Sequence, residues 1–221
     1  GRWNIPKQPI AILVDFTPLF SLKDSVFAEF WETYELDSIT GHWDYIEPAL
    51  FGYAAGKLIE SFAHNHLNAH DQAVAHFHEW MTGMGVLYLR KYAPYLGTVF
   101  TTHATVLGRS IAGHGMPLYQ DMGGFKPDAM ASSLGVRSKY SLELLSARHA
   151  DSFTTVSDLT AKECGYFLGK MPDLITPNGF DESYMPDPGE AGRKRTIARE
   201  SLLKVARAAT GQVLPEDAML V

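Results

Sequence analysis

The stretch Gly97-Thr98-Val99-Phe100-Thr101-Thr102-His103-Ala104-Thr105-Val106-Leu107-Gly108-Arg109-Ser110-Ile111-Ala112 decides the fold. Gly97 to Thr101 is a short apolar run rich in β-branched side chains and opened by a glycine, the pattern of a buried strand. Thr105 to Ala112 has helical spacing, and only a short polar turn separates the two. A strand that passes straight into a helix is the unit of a parallel α/β sheet, in which ligands sit beyond the carboxyl ends of the strands. His103 stands at such an end.

Working outward, similar apolar runs occur at Ile10 to Asp15, Ala73 to Phe77 and Ser152 to Val156. Between them lie segments of helical periodicity: Val26 to Tyr34, Ile46 to Phe62, Gly83 to Lys91, Lys139 to His149 and Asp158 to Leu168. Asp44 and Glu47 match a capping box opening the second of these, and Ser157 is placed to cap the last. The alternation predicts an α/β fold, a Rossmann-like parallel sheet flanked by helices and doubly wound. At Pro186-Asp187-Pro188-Gly189 the character changes to a basic, Ala-rich run from Arg193 to Ala209. The expected division is therefore a lobe over 1–185 and a linker with a helical segment over 186–221.

Composition narrows the function classes. A chain of 221 residues, 46% hydrophobic and 20% charged, has the make-up of an ordinary globular domain with a substantial core. Nineteen Lys and Arg against 25 Asp and Glu leave a net charge of -6, which argues against nucleic acid as a partner. The single cysteine, Cys164, cannot form an internal disulfide, so a cytoplasmic setting is expected. No apolar run approaches the roughly 20 residues that span a bilayer. The opening Gly1-Arg2-Trp3 has no initiator Met, and the chain is expected to start inside a longer protein.

Two clusters carry candidate chemistry. In Ala75-His76-Phe77-His78-Glu79-Trp80, strand alternation puts His76 and His78 on one face, about 6.6 Å apart along the strand. The pair could supply two nitrogens to a metal, with a carboxylate or His103 completing the set. Equally, His78 and Glu79 could bind sugar hydroxyls beside Trp80, or a histidine could simply be buried and satisfied. In the second cluster, Thr101 to Thr105, backbone amides at a helix start could receive a polar ligand group beside His103; the plainer reading is a capped helix. Thr176-Pro177-Asn178-Gly179 is most economically a tight turn. Arg109, Arg137 and Arg148 could fork onto an anion but are by default solvated. No P-loop, dinucleotide fingerprint or nucleophile elbow is present.

Taken in order, five segments resemble one family, the glycogen synthases of the animal and fungal type. They are Gly1-Arg2-Trp3, Ala75 to Trp80, Val99 to Arg109, Phe153-Thr154-Thr155-Val156-Ser157, and Asp173-Leu174-Ile175-Thr176-Pro177-Asn178-Gly179. The resemblance implies a partial N-terminal lobe of a two-lobed GT-B glycosyltransferase. It implies transfer of glucose from UDP-glucose to the non-reducing 4-hydroxyl of an α-1,4-glucan such as glycogen, with retention and with no metal or other cofactor. It assigns catalytic roles to His103 and Glu79, and substrate contacts to His78, Trp80, Thr105, Arg109 and Asn178. The family's amino-terminal glycine-containing loop and its second lobe find no match here, so this piece alone is expected to be inactive, and the full-length enzyme to be a homo-oligomer. The alternatives are a non-catalytic glucan-binding lobe and a metal-dependent hydrolase using His76 and His78.

Overall fold

The structure, a computed structural model, describes residues 1–5, 7–68, 70–180, 182, 185–215 and 217–219. It divides into two compact units, Gly1–Pro177 and Asn178–Val221. The first contains α1 (Lys23–Tyr34), α2 (Trp43–His66), β1 (Val74–His78), α3 (Gly83–Tyr92), β2 (Gly97–Thr102), α4 (Val106–Gly113), α5 (Pro127–Ser133), α6 (Arg137–His149), β3 (Ser152–Thr155), α7 (Asp158–Glu163) and β4 (Leu174–Ile175). After α7 the chain continues through a π-helical turn, Cys164–Leu168. The second unit is built on one long helix, α8 (Pro188–Thr210), none of whose residues is buried.

The four strands are all parallel and lie in the order β1-β2-β3-β4. Crossovers between parallel neighbours are right-handed almost without exception, so an order that never reverses sends the connecting helices to one face of the sheet. Burial along β1 agrees, because Ala75 and Phe77 are buried while Val74, His76 and His78 are exposed. On the covered face Phe77, Phe100 and Phe153 stand in three neighbouring strands, and the last two rings stack at 5.9 Å. α3 packs there, buried from Gly83 to Leu89. It approaches closely because Gly85 has no side chain: a β-carbon would stand 2.3 Å from the Phe77 ring. The open face carries the two histidines.

Three expectations need correcting. Ile10 to Asp15 is not a strand: its only pairing among the described residues is a single antiparallel bridge between Arg2 and Ile10, and Leu13 is 98% exposed. An apolar run becomes a strand only when a neighbour accepts its ladder, and this one meets only the chain's first residues, through the Arg2–Ile10 bridge and the Gly1–Ala11 hydrogen bonds beside it. For the same reason the sheet here is wound one way only, and the second winding read from the alternation is absent among the described strands. Asp44 and Glu47 form no capping box either, since the cap position of α2 is His42 and Asp44 already lies in the first turn, ion-paired to Lys139.

The cap at Ser157 forms as expected and the structure adds one at Thr105, each hydroxyl accepting an amide three residues on, from Thr160 and Gly108 respectively. In the second unit the helix starts at Pro188, earlier than the basic run suggests, because proline suits a first helical turn. No helix among the described residues is long and apolar enough to cross a membrane.

Candidate functional site

The carboxyl ends of β1 and β2 are adjacent, because His78 is in register with Thr101. The chain leaves β1 through Glu79, whose amide donates to Thr101 O at 2.8 Å and so extends the ladder by one bond. Glu79 then takes φ 65° and ψ 159°, a conformation that only glycine adopts without strain. A non-glycine residue held there costs roughly 1–3 kcal/mol and persists only where its surroundings fix it. What fixes it here is its own carboxylate: Oε1 accepts the His103 backbone N–H at 3.1 Å. The loop after β1 thus grips the loop after β2.

The imidazoles form a row on the open face. His76 and His78 have ring centroids 4.1 Å apart, and His78 Nδ1 lies 3.1 Å from His103 Nε2. In that last contact one ring must donate and the other accept, so the two imidazoles cannot both be fully protonated while it persists. His76 Nε2 reaches Thr101 Oγ1 at 2.7 Å, and Thr101 Oγ1 in turn meets Thr154 Oγ1 at 2.6 Å, a string of hydrogen bonds across three strands. Partial burial lowers the pKa of His76 and of His78, and the neighbouring imidazoles lower both further. The neutral ring is favoured in each.

A cleft of about 330 Å³ opens beside this row, lined by Glu79, Trp80, Met81, Ala104, Val106, Arg109, Ser110, Val136 and Lys139. Two larger hollows, of about 420 and 570 Å³, lie elsewhere, one along α1 and one at the amino-terminal end of the strands beside Ala73 and Leu96. In parallel α/β sheets ligands bind at the carboxyl end, and that end holds the smaller cleft.

The structure brings together most of the residues singled out from sequence. His103, Glu79 and His78 are joined by direct hydrogen bonds, and Trp80 and Arg109 line the adjoining cleft. Trp80 also packs, stacked on Tyr45 at 6.2 Å, with Lys139 Nζ 5.5 Å from its ring centroid. Arg109 is exposed and makes no salt bridge to the described residues. Thr105 is fully buried: its hydroxyl caps α4 and donates to Glu163 Oε2 at 2.7 Å. It serves the loop from within. Asn178 opens the second compact unit and is described apart from the cleft.

Three residues at the site have no motif to mark them. Lys139 reaches the cleft from α6, 59 positions after Trp80, on the strength of tertiary packing alone. Glu143 and Glu163 are carboxyls buried beneath the His103 loop. Glu143 does lie on the same helical stripe as Tyr140 and Ala147, both buried, and that spacing is the one trace of its burial in the sequence. The metal-hydrolase alternative requires a third ligand converging with His76 and His78. Among the described residues no group of three or more His, Cys, Asp or Glu is disposed to hold an ion.

The profile of the glycogen synthase family matches residues 1–185. The chain is 35% identical over 180 residues to a Dictyostelium discoideum protein named glycogen [starch] synthase, a match covering 81% of this chain and 20% of that protein. It is 34% identical over 182 residues to glycogen [starch] synthase isoform 2 of Saccharomyces cerevisiae, covering 82% and 26% respectively. With the liver glycogen [starch] synthase of Rattus norvegicus it shares 30% identity over 181 residues, covering 82% and 25%. The matched part is thus about a fifth to a quarter of the length of these curated relatives.

Proposed function

Since the chain belongs to the glycogen synthase family, we propose that it forms the acceptor-side part of an enzyme transferring glucose from UDP-glucose to the non-reducing 4-hydroxyl of an α-1,4-glucan, with retention. The observation that supports this best is the joining of His103, Glu79 and His78 at the carboxyl ends of two adjacent strands, beside a cleft.

In this reading His103 acts on the donor sugar. Its Nε2 is engaged by His78, so Nδ1 is the nitrogen left to bind a glucose hydroxyl. Its backbone carbonyl faces the positive charge that develops at the anomeric carbon, which is electrostatic stabilisation of the transition state. Glu79 uses Oε1 to hold the His103 amide and offers Oε2 to the attacking hydroxyl. As the acceptor oxygen bonds to the anomeric carbon, the bond to the UDP phosphate breaks, and the leaving phosphate takes the acceptor's proton on the same face. Trp80 and Arg109 line the path of the glucan or the donor. Neither a metal nor another cofactor takes part, and the natural partners are UDP-glucose and glycogen.

The proposed setting is the cytoplasm, consistent with a lone buried cysteine at Cys164, and the full-length protein is proposed to be a homo-oligomer. The test is nucleoside diphosphate release from UDP-glucose by the full-length protein, with glycogen and with or without EDTA. Glycogen-dependent release that EDTA leaves unchanged is the expected result. Absence of release with both UDP-glucose and ADP-glucose would overturn the reading, and glucan titration would then test a binding lobe.

A further inference from the structure

We infer that Glu143 is a positioning residue for the proposed transfer, its carboxyl tying the end of β2 to the start of α4 and thereby setting where His103 stands. The inference rests on that functional reading and adds to it a residue with no contact to substrate.

The geometry is a clamp. Thr102 Oγ1, on the last residue of β2, shares a hydrogen bond of 2.8 Å with Glu143 Oε1, and the amide of Val106, the first residue of α4, donates to Oε2 at 2.9 Å. The three residues between, His103, Ala104 and Thr105, form the loop that carries the candidate catalytic imidazole. With both ends of so short a loop held on one carboxyl, the loop has little freedom left. A second buried carboxyl braces it further along, because Glu163 on α7 accepts from Thr105 Oγ1 at 2.7 Å and from Tyr119 OH at 2.9 Å.

The environment of Glu143 is apolar and anionic. The side chain is fully buried, and among the described residues no cation forms a salt bridge with it. The titratable groups that face it are Glu79 after β1, Glu163 on α7, the Cys164 thiol in the π-helical turn and Tyr140 on its own helix. Burial, first of all, pushes its pKa up to about 8, and the Glu79 and Glu163 carboxyls add to the rise. Near neutral pH the un-ionised acid is therefore the favoured form. In that form Oε1–H donates to Thr102 Oγ1, Thr102 Oγ1–H donates to Ala104 O 3.3 Å away, and Oε2 still accepts from Val106. The loop gains a hydrogen bond inside itself. When the acid ionises above its pKa, Thr102 Oγ1–H turns from Ala104 O to the carboxylate, so the loop gives up its internal hydrogen bond and a charge without a cation lies beneath it.

The test compares Glu143→Gln and Glu143→Leu in the full-length protein. Gln reproduces the neutral acid: its amide N–H donates to Thr102 and its oxygen accepts from Val106. It should keep kcat within about 3-fold of wild type at pH 7 and lack the decline in kcat expected of wild type as pH rises through about 8. Leu cannot hold either end and should lower kcat by about 100-fold with a much smaller change in KM. The same decline in both wild type and Glu143→Gln, or a Leu variant with wild-type kcat, would overturn the inference.

A second readout separates this inference from the functional one. Imidazole resonances of His103 are followed by NMR from pH 6.5 to 9. Wild type should show a displacement with a midpoint near 8 that Glu143→Gln lacks. A displacement identical in both, or absent from both, overturns the clamp whether or not the protein transfers glucose. A protein that shows the expected difference but no glucosyl transfer retains the clamp and loses the functional reading.

Discussion

The carboxylate of Glu163 fills the space that a β-carbon on Gly108 would need: such an atom would stand 2.1 Å from Glu163 Oε2 and 2.6 Å from Thr105 Oγ1. Gly108 is the residue whose amide the Thr105 hydroxyl caps, so the glycine, the cap and the buried acid are one arrangement. In an exposed helix, Gly→Ala stabilises by about 1 kcal/mol. Here the added methyl meets a buried carboxyl held by two hydroxyls, and overpacking of this kind costs about 1–3 kcal/mol. Gly108→Ala should therefore be net destabilising, read as a lower denaturant midpoint at unchanged slope. A higher midpoint would show that Glu163 moves aside freely.

Glu79 allows backbone strain to be separated from the work of its carboxylate. Glu79→Ala and Glu79→Gly both remove the bond to the His103 amide, and they differ in whether a β-carbon remains at φ 65°. Glycine occupies this region without strain, so Glu79→Gly should be the more stable of the two by about 1–3 kcal/mol. Equal stabilities in denaturant titration would mean that the loop relaxes once the carboxylate is gone.

In the full-length protein, the roles proposed for His103 and Glu79 give different kinetic signatures. His103→Ala should lower kcat more than it raises KM for glycogen, because its contacts strengthen as charge develops at the sugar. Unchanged kcat would remove His103 from the mechanism. Glu79→Gln should keep a measurable part of the rate if the carboxylate orients the acceptor, whereas loss of a general base costs about 10²- to 10⁴-fold.

Mild acidification should remove the share of stability that rests on three neutral imidazoles. His76 and His78 titrate lower in the folded chain than the ordinary imidazole value of 6.5, chiefly through burial. His149 does so too, through burial and the charges of Arg90, Arg148 and Lys170. At these three sites the unfolded chain therefore takes up protons first as pH drops through 6.5, and their contribution shifts the balance toward it. The carboxylates held by partners, such as Asp44 and Asp151, titrate below their ordinary value of 3.8 and lose their contribution only at lower pH. Glu143, whose folded pKa is raised to about 8, acts in the opposite sense over this range, so the histidine share is read as a difference between variants. Between pH 7 and 5 the change in unfolding midpoint should be less favourable in wild type than in His78→Asn, and an identical change in the two would assign the effect to the other two histidines.

What the sequence made legible follows a physical rule. β1, β2, β3 and the cap at Ser157 were readable because their signals are local: an apolar run, then a hydroxyl, then an amide three residues on. Ile10 to Asp15 carries the same local signal and fails, because a ladder needs a neighbour that periodicity does not report. The site divides in the same way. His78 ends a strand, Glu79 and His103 follow strands, and all three declare themselves by position. Glu143 and Glu163 lie inside helices, where an acidic residue ordinarily faces water, and their burial comes from contacts 37 and 58 residues away. Thr105 shows the ambiguity within one residue: a polar side chain after a strand serves the ligand or the helix, and here the helix takes it.

The same separations set a timetable. Each strand pairs with its neighbour in sequence, so the sheet can be laid down in order as the chain is synthesised, β1 on β2 and then β3. The loop bearing His103 emerges early, yet the acids that fasten it come only with α6 and α7. A nascent chain halted between Ser152 and Glu163 would hold most of its sheet and one of the two fasteners. The place where chemistry is proposed is thus among the last parts of the first unit to acquire its final form, after the scaffold that supports it has already set.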